Sequence, residues 1–385
     1  MLRRTFQFKL YNHKRNKHLD GQRRIACFIY NKSIALHKRF YRLFNKHLPI
    51  YKLQKHLTKL RNTSRYSFWK KLGSQAIQEI TERIEKAYQR FFSKKAKRPP
   101  KFKKIRNYKS FTLKQAGWSL IEDGRIKIAK KCYRFSQSRK VNGKVKTLTI
   151  KKDRCRDWFV NFSVETEEKR SEISQRTGQA VGIDFGLKVF LTLSNETKIE
   201  SAEFFKQMES KIRKSNRRLS RKEKGSNQRK KARMELSRQY RRLKNLRENY
   251  QWEKARELLE AYDEIYLEDL NIEGMKRIWG KKISDLSYSS FVKKLEYLAE
   301  REGKLVGKVD RYYASSKTCS SCGQVKKELS LKERIYECWS CGMVMDRDIN
   351  AAKNILRVGA STNAGARVRL GMTEHCAKIA ESYDI

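Results

Sequence analysis

The chain has 385 residues, of which 92 are lysine or arginine and 41 are aspartate or glutamate, a formal net charge of +51. Hydrophobic residues make up 38% and aromatic residues 11%, which excludes a disordered chain, and the length is sufficient for two or three hydrophobic cores. A charge of this size repels itself unless a polyanion neutralises it, so we expect a long nucleic acid as partner and, because no apolar run of about 18 residues occurs, no membrane.

The first half of the chain predicts a β-structure that helices interrupt. Thr5–Leu10 alternates apolar and polar residues, as a strand does. From about residue 20 to 93 the period is helical, and Ile77, Ile80, Ile84 and Tyr88 form one apolar stripe. After two prolines at 99–100, short β-like segments follow until residue 164, with glycines where hairpin turns are needed. The simplest assembly is a β-barrel built from residues 1–16 and 100–170, with a helical insertion at 17–99.

The second half of the chain predicts a mixed α/β domain. Polar residues 165–179 form a linker, and three short strands follow at 180–184, 189–194 and 198–202. A basic helical hairpin spans about 204–262 and is broken near Gly225, after which come strand 264–270, a helix near 287–302 and strand 305–310. This order of strands and helices is that of the RNase H fold, and we assign residues 175–313 and 344–360 to it. The tail at 361–385 has the low periodicity typical of disorder.

Three acidic positions indicate a cation site in this domain. Asp184 ends the first strand, and Glu268 lies in an otherwise apolar strand, where a charge is costly unless it is paired or holds a cation. Either acid alone could equally be a satisfied residue at a strand end. The third acid is Asp346 or Asp348. If a helix begins near Arg347, Asp348 shares a face with Ala351, Ala352 and Ile355, whereas Asp346 suits the N-cap, so we choose Asp348 and keep Asp346 as the alternative.

The chemistry of these acids favours a hard divalent cation. Carboxylate oxygens without a histidine or cysteine are the ligands that Mg²⁺ or Mn²⁺ prefers. Two such ions about 3.5–4 Å apart can activate a water molecule and neutralise the leaving oxygen in phosphodiester cleavage. The acids therefore predict a two-metal nuclease site.

Four cysteines predict a second, separate metal site. Cys319 and Cys322 form one Cys-x-x-Cys pair, and Cys338 and Cys341 form another after fifteen intervening residues. This spacing is typical of a tetrahedral Zn²⁺ site, and four thiolates leave no open position for catalysis. We therefore expect a structural zinc in an insertion at residues 314–343.

These motifs resemble the TnpB family, the RNA-guided nucleases of bacterial and archaeal transposons that are related to type V CRISPR effectors. The segments that carry the resemblance are Gly182–Gly186 with Ser194, Glu268–Ile272 with Gly274 and Met275, Ser315–Cys319, Cys322–Gly323, Cys338, Cys341–Gly342 and Asp346–Ile355. The resemblance implies a RuvC-like nuclease domain, a wedge-like barrel with a helical recognition region, and a zinc-bearing insertion that binds target nucleic acid.

The resemblance also implies partners and a location. The partners are a guide RNA from the transposon end and a double-stranded target DNA next to a short flanking motif. We expect a monomer in the RNA complex, in the bacterial or archaeal cytoplasm and on the nucleoid when bound to DNA. Because RNA–DNA base pairing recognises the target sequence, the protein itself needs mainly positive charge and a complementary shape to bind the heteroduplex.

A basic run could supply that charge. About seventeen lysines and arginines lie between residues 211 and 247, and we predict contacts with nucleic-acid phosphates for six of them. These six residues are Arg217, Arg218, Lys230, Lys231, Arg241 and Arg242. A solvated helical face is the alternative interpretation of such a run.

Two other functions stay open. A nuclease-inactive, RNA-guided DNA-binding regulator would keep the basic surface and the zinc site but lose an acid, and none of the three is missing. A DNA transposase of the tyrosine type needs a His-x-His pair, which the six histidines do not form.

Overall fold

The computed structural model of the protein describes residues 2–14, 16–166, 176–330 and 332–363. The chain forms two compact units, residues 1–168 and 169–385. In the described part of the chain no helix combines the length and the apolar character needed to cross a membrane. The predicted tail lies outside the described residues from position 364 onward.

The first unit consists of one strand, a group of helices and six further strands. Its elements are β1 (Leu2–Lys9), α1 (Asn16–Phe44), α2 (Ile50–Asn62), a 3-10 helix (Ser64–Lys71), α3 (Ser74–Phe92), β2 (Ser110–Leu113), β3 (Trp118–Ile121), β4 (Arg125–Ile128), β5 (Lys131–Arg134), β6 (Lys144–Lys152) and β7 (Trp158–Thr166). The apolar stripe predicted for α3 is confirmed, because Ile77, Ile80 and Ile84 are buried and Tyr88 packs against the same core. Residues 167–175, most of the predicted linker, lie outside the described residues.

The strands of this unit form two open antiparallel sheets, ordered β1-β7-β6-β2 and β3-β4-β5. One bridge, between Leu10 and Phe135, connects the residues that follow β1 and β5. No pairing within the described residues joins β2 to β3, because these four-residue strands pair with β6 and β4. A closed barrel requires each strand to pair on both sides. The predicted N-terminal β-barrel, from residues 1–16 and 100–170, is therefore wrong: its strands exist, but no barrel closes.

The second unit contains a central sheet flanked by helices. Its elements are β8 (Ala180–Phe185), β9 (Val189–Leu193), β10 (Lys198–Glu200), α4 (Phe204–Ser220), α5 (Asn227–Ala261), β11 (Glu264–Glu268), α6 (Ile272–Leu286), α7 (Tyr288–Glu302), β12 (Leu305–Val309), β13 (Ile335–Glu337), β14 (Val344–Asp346) and α8 (Arg347–Thr362). The five predicted strands, the helical hairpin and the helix near 287–302 are confirmed, whereas α6 was not predicted. The helix α8 ends two residues inside the segment predicted as a tail.

The central sheet has the strand order β10-β9-β8-β11-β12. The strands β8, β9 and β10 are antiparallel, and β11 lies parallel to both β8 and β12. One face carries Val181, Ile183, Ile265 and Leu267, which pack in a core with residues of α5 and α7. On the other face α8 packs against β8, β11 and β12. The unit is thus a three-layer, mixed α/β structure, and its assignment to the RNase H fold stays a prediction.

Candidate active site

Asp184 and Glu268 lie side by side at one edge of the central sheet. The strands β8 and β11 are parallel, and Ile183 pairs with Leu267, so the next residue on each strand is an acid. Because Ile183 and Leu267 face the core of α5 and α7, the side chains that follow them point to the opposite face, which α8 covers. Two acids far apart in the chain are therefore neighbours.

The third acid reaches this edge because α8 packs very closely on β8. A Cβ atom built on Gly182 would lie 2.2 Å from the carbonyl oxygen of Ala352, so only glycine permits this contact. Ala351 and Ala352 are buried in the same interface. Asp348 lies one turn before Ala352 on that helix face. The predicted face of α8, with its small residues, is confirmed.

Asp346, the alternative third acid, caps α8 and pairs with a lysine. Its Oδ1 accepts hydrogen bonds from the backbone N–H groups of Asp348 at 2.8 Å and Ile349 at 3.3 Å, which makes it the N-cap of α8. Its Oδ2 lies 2.6 Å from Nζ of Lys198. Both oxygens of Asp346 thus have partners that hold the start of the helix. This geometry favours Asp348 as the third cation ligand, and its assignment stays a prediction.

Electrostatics show that Asp348 and Glu268 lie close enough to affect Asp184. Burial raises the pKa of Asp184 to about 7, and the charges of Asp348 and Glu268 contribute to the same shift. Burial also raises the pKa of Glu268, with a contribution from Asp269. The charge of Arg347 lowers the pKa of Asp184 without offsetting these effects, so the site still lacks positive charge. A divalent cation between them would supply that charge.

Two buried hydroxyl groups near this edge have no hydrogen-bond partner. Thr192 pairs with Asp184 across β8 and β9, so its side chain shares a face with that acid, and its Oγ1 is unpartnered. The hydroxyl of Tyr288 is likewise buried and unpartnered. Leaving a buried donor unpaired costs about 1–3 kcal/mol. The edge therefore combines hard oxygen ligands with spare polar groups, a chemistry that fits Mg²⁺ or Mn²⁺.

The four cysteines form a more compact cluster than the three acids do. Groups of three or more histidine, cysteine, aspartate or glutamate side chains can bind a metal ion. Among the described residues, only the group of Cys319, Cys322, Cys338 and Cys341 has ligand atoms that all lie within 4.8 Å of one another. The sulfur atoms of Cys319 and Cys341 are 3.7 Å apart, and those of Cys322 and Cys338 are 3.5 Å apart. A tetrahedron with Zn–S bonds of about 2.3 Å has edges of about 3.8 Å. The four sulfur atoms could therefore hold a zinc ion.

The backbone around the cysteines is arranged as two matching turns. The N–H of Gly323 donates to the carbonyl of Cys319, and that of Gly342 donates to the carbonyl of Cys338, each at 3.0 Å. Both glycines have φ near +70°, a conformation that favours glycine. Backbone N–H groups, chiefly that of Cys341, lower the pKa of the Cys338 thiol. Burial instead raises the pKa of the Cys319 thiol, so of these two cysteines only Cys338 is shifted toward the thiolate form that binds a metal.

Two buried asparagines attach the cysteine turns to α8. Asn350 accepts a hydrogen bond from the N–H of Ser320 at 2.9 Å and donates to the carbonyl of Thr318 at 2.7 Å. Asn354, one turn later, donates to the carbonyls of Thr318 at 2.6 Å and Ser315 at 2.9 Å. The helix that carries Asp348 is thus bonded to the candidate zinc site. Sequence reasoning missed this role, although two asparagines four residues apart on a buried helix face were a signal.

The six basic residues predicted to bind nucleic acid lie on α4 and α5. Five of them are exposed, and Arg241 is half-buried. Arg218 forms an ion pair with Glu235 at 2.9 Å across the two helices. The hairpin turn is fixed by Ser226, whose Oγ accepts a hydrogen bond from the N–H of Arg229. The structure thus presents a basic surface on this hairpin, and its contacts with nucleic acid stay a prediction.

Two family models match the second unit and the residues around it. One, described as "Probable transposase" (OrfB_IS605), matches residues 161–279, and the other, described as "Cas12f1-like, TNB domain", matches residues 288–355. The first match contains Asp184 and Glu268. The second contains the four cysteines and Asp348. The two matches thus cover both candidate metal sites.

Relatives match nearly the whole chain. A protein of Streptomyces pristinaespiralis named "Putative RNA-guided DNA endonuclease" is 28% identical over 94% of this chain and 91% of the relative. "Putative RNA-guided DNA endonuclease InsQ" of Escherichia coli K12 is 28% identical over 90% of both chains. Three proteins of Acanthamoeba polyphaga mimivirus named "TnpB-like protein" are each 32% identical over 56% of this chain and 43% of the relative.

The fold is also similar to a solved structure. The chain in "Cryo-EM structure of the Cas12f1-sgRNA-target DNA complex" superimposes with a TM-score of 0.58 at 16% identity, over 89% of this chain and 83% of that chain. At this identity the likeness shows the fold, which is the mixed α/β class of Cas12f1. The two domain matches and these relatives show that the chain is similar to proteins named as RNA-guided DNA endonucleases and TnpB-like proteins.

Proposed function

We propose that this protein is an RNA-guided, metal-dependent DNA endonuclease of a transposable element. It would cleave double-stranded DNA next to a short flanking motif, guided by an RNA from the transposon end. The observation that carries this proposal is the convergence of Asp184, Glu268 and Asp348 at one edge of a sheet, in a chain whose relatives are named as RNA-guided DNA endonucleases.

The three acids would be the catalytic residues of a RuvC-like domain. Their carboxylates would hold two Mg²⁺ or Mn²⁺ ions, which when bound supply an activated water molecule and neutralise the charge of the leaving oxygen. Asp346 and Lys198 would keep the first turn of α8 in place, so that Asp348 faces the two strand acids. The raised pKa of Asp184 supports this role, because cation binding would relieve the repulsion between the acids.

The basic surface and the candidate zinc site would handle the nucleic acids. Arg217, Arg218, Lys230, Lys231, Arg241 and Arg242 would contact the phosphates of the guide–target heteroduplex. A structural zinc held by the four cysteines would order the target-binding insertion, which Asn350 and Asn354 join to α8. The helices of the first unit would form the recognition region. The protein would act as a monomer in its RNA complex, in the cytoplasm and on the nucleoid.

Two other functions compete with this proposal. A nuclease-inactive regulator would bind RNA and the matching DNA without cutting it, but the three acids are all present and adjacent. A DNA transposase, which the description of one family model suggests, would join DNA strands without a guide. The RNA and the reaction product distinguish the three functions.

The test is to purify the protein from its host and sequence the RNA that copurifies. We expect one discrete RNA with a constant 5′ scaffold and a variable 3′ end. The complex should cut a DNA that matches this end in Mg²⁺, and the Asp184→Ala complex should bind that DNA without cutting it. Binding without cleavage by the unmodified complex would favour the regulator, and strand joining without RNA would favour the transposase.

A further inference from the structure

The helix α8 has two buried faces, which contact different parts of the second unit. Asp348, Ala352 and Ile355 lie on the face that packs on the central sheet. Asn350 and Asn354, both fully buried, lie on another face and form hydrogen bonds with the insertion that carries the cysteines. One helix is therefore shared by the candidate cation site and the candidate zinc site.

Asn350 attaches the first cysteine turn, residues 319–322, to α8. Ser320 lies inside this turn, and its N–H donates to Oδ1 of Asn350 at 2.9 Å. Nδ2 of Asn350 donates to the carbonyl of Thr318, the residue before Cys319, at 2.7 Å. Because both partners are backbone groups, no side chain can rotate to absorb a movement of the turn. A shift of this turn therefore reaches the helix at Asn350.

The chain itself attaches the second cysteine turn, residues 338–341, to α8. Cys338 directly follows β13, and Cys341 lies three residues before β14. The strand β14 pairs with β13 and ends at Asp346, the N-cap of α8. The N–H of Arg347 continues this contact by donating to the carbonyl of Arg334 at 2.8 Å. The second turn therefore reaches the helix at its first residues.

Asp348 lies between these two attachments, two residues after Asp346 and two residues before Asn350. A zinc ion bound by all four cysteines would cross-link the two turns and so close a ring that includes the first turns of α8. Without the ion, the two turns are joined by weaker contacts only. The zinc therefore constrains the segment that carries Asp348.

We propose that Asn350 is a positioning residue that couples the two metal sites, so that zinc held by the four cysteines raises the affinity of the three acids for a divalent cation. This inference rests on the proposed function, because it requires Asp348 to be a cation ligand. Coupling between two binding sites is reciprocal, and its typical size is about 5–150-fold in affinity. A cation bound by the acids therefore raises the zinc affinity by the same factor.

The test measures the zinc affinity of the RNA complex, without DNA, by competition with a zinc-selective chelator in the absence and presence of Mn²⁺. Bound Mn²⁺ is counted from the paramagnetic resonance of free Mn²⁺, and the Asp184→Ala complex shows which effects come from ions held by the RNA. Asn350→Ala is compared with Asn354→Ala as a matched control. Asn354 is equally buried and also donates two hydrogen bonds to the insertion, but neither acceptor, on Ser315 and Thr318, lies inside a cysteine turn.

We expect saturating Mn²⁺ to raise the zinc affinity of the unmodified complex about tenfold and to leave that of the Asp184→Ala complex unchanged. Both asparagine changes should lower the unfolding temperature and the zinc affinity, because each leaves buried groups of the insertion unpaired. Only Asn350→Ala should abolish the effect of Mn²⁺, since Asn354→Ala keeps both attachments that flank Asp348.

The outcomes separate the coupling from the proposed function. If Mn²⁺ binds to the acids but does not change the zinc affinity, or if no zinc binds, the coupling is refuted and the proposed function stands. If Asn350→Ala keeps the effect of Mn²⁺, or Asn354→Ala loses it, the role of Asn350 is refuted. If the Asp184→Ala complex binds as many Mn²⁺ ions as the unmodified complex, the coupling and the proposed function are both refuted.

Discussion

Replacing Gly182 with alanine should displace α8 and thereby move Asp348 away from the strand acids. The added Cβ would lie 2.2 Å from the carbonyl oxygen of Ala352 and 2.5 Å from the backbone nitrogen of Leu356, whereas real contacts of this kind are essentially never shorter than 3.0 Å. Because both neighbours are backbone atoms, no side chain can rotate away. The helix must retreat by about 0.8 Å, and overpacking of this kind costs about 1–3 kcal/mol.

A misplacement of about 1 Å can reduce catalysis about 100-fold. We therefore expect Gly182→Ala to lower the free energy of unfolding by about 3 kcal/mol and the single-turnover cleavage rate of the RNA complex by about 100-fold, with target binding retained. The control is Gly280→Ala in α6, where an added Cβ meets nothing within 4 Å. If Gly182→Ala cuts at the unmodified rate, the close packing of α8 does not position Asp348.

Three further predictions concern the two metal sites. Asp184→Ala, Glu268→Ala and Asp348→Ala should each abolish cleavage and leave RNA and target binding nearly unchanged, because affinity comes mainly from basic residues; normal cleavage by Asp348→Ala combined with loss in Asp346→Ala would show that the wrong acid was chosen. Elemental analysis should find one zinc per chain, and replacing the four cysteines should unfold only the insertion, as followed by hydrogen exchange; folded, active protein without zinc would contradict this. Asn350→Ala should cost about 2 kcal/mol in denaturant unfolding and speed zinc loss, because it leaves the N–H of Ser320 unpaired, whereas the exposed Asn216→Ala should do neither.

Local patterns in the sequence predicted those parts of the site that depend on local rules. The alternation around Asp184 and Glu268 predicted the two strands, and the four-residue spacing from Asp348 to Ala352 predicted the helix face that packs on the sheet. The spacing of the cysteines predicted their convergence, because each Cys-x-x-Cys turn is short and folds in the same way. Asp346 was recognisable as a cap because it directly precedes the helix.

Features that depend on distant parts of the chain were not predictable in this way. A barrel closes only if the four-residue strands β2 and β3 pair with each other, and the periodicity of the sequence does not specify which strands pair. The helix α6 contains two glycines that weaken its helical pattern, and its start depends on one hydrogen bond from the N–H of Gly274 to Asn271. The role of Asn350 depends on the groups that surround it after folding. The function of such a buried polar group becomes evident only when its hydrogen-bond partners in the folded chain are known.

The central claim is that RNA, not the protein, selects the DNA that is cut. The most direct measurement replaces the variable 3′ segment of the copurified RNA and maps the cut site on DNA carrying both the old and the new matching sequences beside the flanking motif. We expect the cut to move to the new sequence in Mg²⁺, with no cut when either the RNA or the cation is omitted. Cleavage of the original site by RNA-free protein would contradict the proposal.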